Sequence, residues 1–206
     1  LGMAGLPIYI HAPKYFVERY EISLASLGLA LLFLRSIDFF QDPLLGRLAS
    51  STSRLGSIPV WIATLFMCVG MTLLFAVPAL TSPILWFSMS LFILFSGFSF
   101  AYIRLYALGV EAFGMGAQIK IAKWREAGTL LGICIAAVTP TVLSINGLNG
   151  YKNFAFLFCI LIITATVALA PDFSKKFVGT NNGKTSLFLK DGSLQRLLFF
   201  VFLNAM

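Results

Sequence analysis

The chain is a succession of long apolar runs separated by short polar breaks. A helix needs about 20 apolar residues to cross a bilayer, and six runs approach that length. They cover residues 1–17, interrupted by Pro7 and Pro13; 23–48; 58–78, ending at Pro78; 84–110; 124–145, with Pro140 inside; and 153–170, ending at Pro171. The following SKKFVGTNNGKTS is polar and rich in Lys, Asn and Gly, as in a flexible connector. LQRLLFFVFLNAM then has the character of a new span. The pattern predicts a six-helix transmembrane bundle over 1–170, a connector over 171–192, and the start of a seventh helix over 193–206.

Composition narrows the class to an all-α membrane protein. The 206 residues are 59% hydrophobic and 11% charged, where soluble domains carry about 25% charged residues. Mean hydropathy is +0.91. Phe is abundant and apolar–polar alternation is weak, which favours helical spans over a barrel of short alternating strands. The three cysteines, Cys68, Cys134 and Cys159, fall in three separate apolar runs without metal-ligand spacing, and are expected to be packing residues. The chain opens inside an apolar stretch with no cleavable signal pattern, so its true start is expected to lie upstream.

The net charge of +7 need not mean nucleic acid, because Lys and Arg concentrate in cytoplasmic loops of membrane proteins. Arg47, Arg54, Lys120, Lys123, Lys175, Lys176, Lys184, Lys190 and Arg196 would lie on one side, and Lys14, Arg19 and Lys152 on the other. This asymmetry places the loops after spans two, four and six in the cytoplasm, with a cytoplasmic N-terminus. Six spans, a basic connector and a further span match the plan of half a twelve-span carrier.

Candidate chemistry starts in the second run, LLFLRSIDFFQDPLLG. Arg35, Asp38 and Asp42 are spaced i, i+3, i+7 and share one helix stripe. Charge at bilayer depth is expensive unless it is paired or faces water. Two acids and one base leave a residual negative charge, which a monovalent cation or a proton would relieve. Asp38 and Asp42 are therefore the candidate cation ligands, for Na⁺ or H⁺, and the alternative is an ion-pair cluster that fixes packing. Pro43 removes a backbone N–H and loosens the preceding turn.

The fourth run places Arg104 among the hydroxyls of Ser99, Tyr102 and Tyr106, with Glu111 two turns beyond Arg104. Pairing of Arg104 with an acid of the second span is the expected way to hold it. The fifth run opens WREAGTLLG, in which Arg125 and Glu126 point about 100° apart on a helix and are expected to engage different neighbours. His11, between Pro7 and Pro13, could line a kinked cavity wall. Arg125, Tyr102, Tyr106 and His11 stand as candidate substrate contacts. Arg35, Arg104, Glu111 and Glu126 stand as a candidate charge and gating network. Lys14 and Glu18, at i, i+4, are expected to pair near the external surface. No Walker-type phosphate loop, HExxH, nucleophile elbow or paired CxxC occurs, so no enzyme activity and no cofactor are expected.

The segment RSIDFFQDPLLG resembles the second-helix signature R-x-x-D-x-x-x-D-P-x-x-G of the glycoside–pentoside–hexuronide:cation symporters, sugar carriers of the major facilitator superfamily. The run from Arg125 to Gly132 is similar to the family's R-x-x-A-x-x-x-G pattern. The resemblance implies that Asp38 and Asp42 are cation ligands, that Ser99 is a hydroxyl near the cation, that Arg125 contacts sugar, and that Arg35 belongs to the cation and gating region. The chain departs from the melibiose-type pattern where Gly2 and Tyr102 stand at sugar-binding acid positions and Ser50 replaces the acid of the G-x-x-x-D loop. The wider family also includes carriers of lysophospholipids, so the substrate is a sugar, a related small solute, or a lipid-like one.

The expectation is the N-terminal half of a cation-coupled symporter in a bacterial inner membrane. It would work by alternating access beside a missing C-terminal half, with no nucleic-acid partner. The alternative is a truncated or split-gene fragment without transport of its own.

Overall fold

The structure, a computed structural model, describes residues 2–113, 118–145 and 149–174. The predicted connector from residue 175 onward and the predicted seventh span lie outside the described residues. Six α-helices follow one another: α1 (Leu6–Tyr20), α2 (Leu24–Ser51), α3 (Ile58–Phe75), α4 (Pro83–Phe113), α5 (Gln118–Ile145) and α6 (Gly150–Ser174). Short 3₁₀ turns at Gly2–Ala4 and Ser53–Leu55 precede α1 and α3.

Five of the helices, α2 to α6, are long and apolar enough to cross a membrane. At 28 residues, α2 extends about 42 Å. The first element differs from its expectation. At 15 residues, α1 extends only about 22 Å, because the chain turns at Gly5 before the helix begins and ends with Glu21 in the left-handed region at φ 54°. The sixth helix runs past its expected end, through Pro171 to Ser174.

Helix boundaries follow local chemistry. Ser23 caps α2 by accepting the Ser26 N–H at 3.2 Å. Pro59 and Pro83 sit in the first turns of α3 and α4, where a missing N–H does no harm. The indole of Trp86 donates to the Leu73 carbonyl at 2.9 Å, serving an acceptor in the last turn of α3. Tyr20 of α1 accepts the Ala79 N–H at 2.8 Å, so the ends of α1 and α3 and the start of α4 meet at one end of the bundle.

Polar cross-links fix helix directions. Gln41–Ser96 and Arg104–Ala49 join α2 to α4 at the same sequence offset of 55, so these helices run parallel. The close approach of Gly2, just before α1, to Thr129 and the His11–Ala136 hydrogen bond likewise set α1 parallel to α5. Thr64–Thr166 and Cys68–Cys159 run in opposite order, so α3 and α6 are antiparallel. Alternating spans demand these directions.

The most extensive helix–helix contact is α3 against α4. A Cβ on Gly70 would lie 2.7 Å from the Leu94 nitrogen, and one on Gly97 2.7 Å from the Ala63 carbonyl oxygen. Small residues let membrane helices approach this closely. The core beside this contact is aromatic: Phe75 stacks on Tyr151 at 5.6 Å, and Phe16 meets Phe87 edge-on at 5.0 Å.

Candidate functional site

The α2 stripe forms as the spacing requires. Arg35 Nη1 lies 3.8 Å from Asp38 Oδ2, with the Asp38 side chain 14% exposed and that of Arg35 45% exposed. The same Nη1 donates to the Tyr9 hydroxyl of α1 at 3.2 Å. The Tyr9 ring is held by stacking on Phe95 of α4, 5.0 Å between centroids. One turn on, Asp42 is exposed. The formal charge of Arg35, Asp38 and Asp42 together is −1, so the stripe carries more acid than base.

Gln41, absent from the sequence-derived candidates, ties this stripe to α4. Its Nε2 donates to Ser96 Oγ at 2.6 Å, while the Ser96 hydroxyl donates to the Phe92 carbonyl at 2.7 Å. Ser96 therefore acts as acceptor toward Gln41, which turns the amide oxygen the other way. That Oε1 is buried and has no hydrogen-bond partner among the described residues. The α2–α4 hydroxyl contact is thus made by Ser96. Ser99, expected near the cation, lies one turn further along α4 and is half-buried. The spacing of Gln41, i+3 from Asp38, was the available signal.

The α5 candidates separate as their neighbouring positions require. The Arg125 guanidinium lies over the Tyr106 ring of α4, 4.1 Å from its centroid. Glu126 points to an exposed face. Tyr102 bridges Tyr106 and Phe98, at 5.8 and 5.9 Å between centroids. The structure thus brings Arg125, Tyr106 and Tyr102 together as an aromatic-lined cationic patch on α4 and α5.

His11 has different company. It is 8% exposed, and its Nε2 lies 3.2 Å from the Ala136 carbonyl of α5, between the rings of Tyr151 and Phe154. A carbonyl only accepts, so this nitrogen carries the proton.

Arg104, also 8% exposed, donates to the carbonyls of Ala49 at 3.4 Å and Gly56 at 3.2 Å, and lies over the Phe173 ring at 5.7 Å. The second span does supply it a partner, but through main-chain oxygen at the end of α2. The side chain of Glu111 lies outside the described residues. Lys14 and Glu18 pair at 3.8 Å, both well exposed. A groove of about 470 Å³ opens between α1 and α2, lined by Tyr9, Ile10, Pro13, Val17, Gly28 and Leu31 among others. Tyr9 joins this groove to Arg35.

A family profile described as MFS/sugar transport protein matches residues 1–205. The chain belongs to that family. No curated protein matches it, and no solved structure does. As a member of the MFS sugar-transport family the chain is an integral membrane transporter protein and not an enzyme, and its family implies a small-molecule substrate. The all-helical bundle with five spans agrees with that membership.

Proposed function

We propose that the chain is the N-terminal six-helix part of a cation-coupled symporter for a sugar or related solute, working by alternating access around a midplane site. The observation that carries the reading is the α2 stripe: two carboxylates against one guanidinium, with the buried Gln41 Oε1, unpartnered among the described residues, one turn from Asp38. Na⁺ or H⁺ at Asp38 and Asp42 completes the charge, and Gln41 and the Ser96–Ser99 face of α4 close the site. The solute contacts Arg125, with Tyr106 and Tyr102 offering ring faces and hydroxyls. His11 holds α1 against α5, Arg35 and Glu126 supply charge around the site, and Arg104 secures the turn after α2. The site-bearing helices α2 and α5 are the least buried spans, which suits a face covered by a second six-helix half. Cation binding that favours the solute-accepting conformation is linkage between two ligands.

The test is cation binding by the purified chain. Saturable Na⁺ binding by calorimetry, or proton uptake in an unbuffered acid titration, is expected in the wild type and lost in Asp38→Asn and Asp42→Asn with helical content unchanged. Retained binding in the double variant would return the stripe to a structural ion-pair cluster.

The basic loops are read as cytoplasmic, in a bacterial inner membrane with the N-terminus inside. A Cys placed at Thr81 should then react with an impermeant maleimide added outside, and one at Ser53 should not. The reverse result overturns the orientation.

A further inference from the structure

The seam between α3 and α6 is polar at two levels, although both helices are apolar spans. Thr64 and Thr166, 3% and 5% exposed, meet hydroxyl to hydroxyl at 2.8 Å. One turn along α3, Cys68 faces α6, and Thr72 follows on the same stripe at i+4. The Cys159 thiol of α6 lies 3.8 Å from the Cys68 carbonyl oxygen and 4.0 Å from Thr72 Oγ1, whose hydroxyl donates to that same carbonyl at 2.7 Å. The Cys159 sulfur therefore lies directly against the Cys68 residue across the seam. Two cysteines 91 positions apart in sequence are thus brought side by side, where sequence reading saw three isolated packing residues.

We propose that Cys68 and Cys159 form a modification site, a dithiol that a hydroperoxide converts to a disulfide linking α3 to α6. One sulfur attacks the O–O bond, giving a sulfenic acid and releasing the alcohol or water of the peroxide. The second thiol then attacks that sulfur. The S–S bond forms and the sulfenic oxygen leaves as water. Two thiols lose two electrons, and one hydroperoxide is reduced.

The setting favours this product. The disulfide is neutral, so its formation leaves no charge in the apolar seam. Both cysteines are half-buried rather than sealed, and the flanking Leu65, Val69, Phe156 and Ile160 are exposed, which leaves the seam open to an oxidant dissolved in the membrane. Cys134 on α5 is exposed and serves as an internal reference.

The experiment treats the purified chain in lipid nanodiscs with cumene hydroperoxide, denatures it, and counts N-ethylmaleimide adducts by intact mass. Of the three cysteines, only Cys134 should remain alkylatable, with peptides containing Cys68 and Cys159 joined and all adducts restored by dithiothreitol. Cys68→Ser and Cys159→Ser should each abolish the linked peptide, and the variant that keeps the attacking cysteine should stop at the sulfenic acid, which dimedone traps. Full alkylation of the treated wild type overturns the proposal. A disulfide that still forms in either single variant, or a link involving Cys134 or a second chain, overturns it equally.

Discussion

His11 donates from Nε2 to the Ala136 carbonyl at 3.2 Å, and Pro140 is the residue that leaves that carbonyl in need of a donor. In a regular helix the N–H four residues on would bond to Ala136, but proline has none. A buried imidazole from α1 supplies the proton instead, and the proline interruption of α5 becomes a docking point for α1.

A double-mutant cycle follows from that geometry. His11→Ala should lower stability by about 1–3 kcal/mol, the penalty for stranding a buried acceptor. Pro140→Ala restores a main-chain N–H to Ala136. In that background His11→Ala should be milder, with a coupling of about 1 kcal/mol. Thermal unfolding of the four proteins in one detergent measures it. Equal effects in both backgrounds would mean that His11 acts by ring packing on Tyr151 and Phe154 alone.

Gln41 should matter to cation binding more than to folding. Its Nε2 is committed to Ser96, and its Oε1 is a buried acceptor with no donor among the described residues. Such an oxygen suits a cation or a cation-bound water. Gln41→Leu should weaken the cation binding of the wild type about tenfold, or about 1.4 kcal/mol, while leaving helical content intact. Unaltered affinity would remove Gln41 from the site.

Helix count and polarity were legible because membrane spans announce themselves by length. Asp38, Asp42 and Arg35 were legible because charge in an apolar run is anomalous wherever it occurs. The partners were not. Gln41 and Ser96 are ordinary residues until α2 and α4 are laid parallel, and Cys68 and Cys159 are unrelated until α3 and α6 are laid antiparallel. Arg104 was expected to seek a carboxylate, yet a guanidinium has five donors and two carbonyls at a helix end also engage it. Helix ends were misplaced where a residue that usually breaks helices sits within one, as Pro171 does in α6.

The α3–α4 contact should tolerate little added bulk. A methyl group on Gly97 would press on the Ala63 carbonyl at 2.7 Å, and on Met67 and Phe66 at 3.0 Å. Backbone cannot retreat as a side chain can, so Gly97→Ala should cost roughly 1–3 kcal/mol. Gly28 of α2 has nothing within 4 Å of the same added atom. Gly28→Ala should therefore be neutral or stabilising by up to about 1 kcal/mol. Midpoints of detergent-induced unfolding decide between them, and equal responses at the two glycines would contradict the packing described.

Arg104 should control the turn between α2 and α3. Its guanidinium reaches the Ala49 carbonyl near the end of α2 and the Gly56 carbonyl beyond it, so one side chain of α4 spans the whole turn. Gly56 sits at φ 63°, a conformation that favours glycine and holds the turn tight. Within it, Thr52 donates to Leu48 at 2.9 Å and Leu55 to Thr52 at 3.0 Å. Hydrogen bonds from a charged donor contribute about 1.5–3 kcal/mol each. Arg104→Ala should therefore speed amide hydrogen exchange at Thr52 and Leu55 by about tenfold or more, with little change at mid-α3 amides such as Met67. Arg104→Lys keeps the charge but loses the fork that serves two carbonyls at once, so exchange should remain faster than in the wild type. If Arg104→Lys protects the turn fully, charge alone suffices and the forked contact is not what holds it. If Arg104→Ala leaves exchange unchanged, the turn is held by its own backbone bonds and Arg104 has no grip on it.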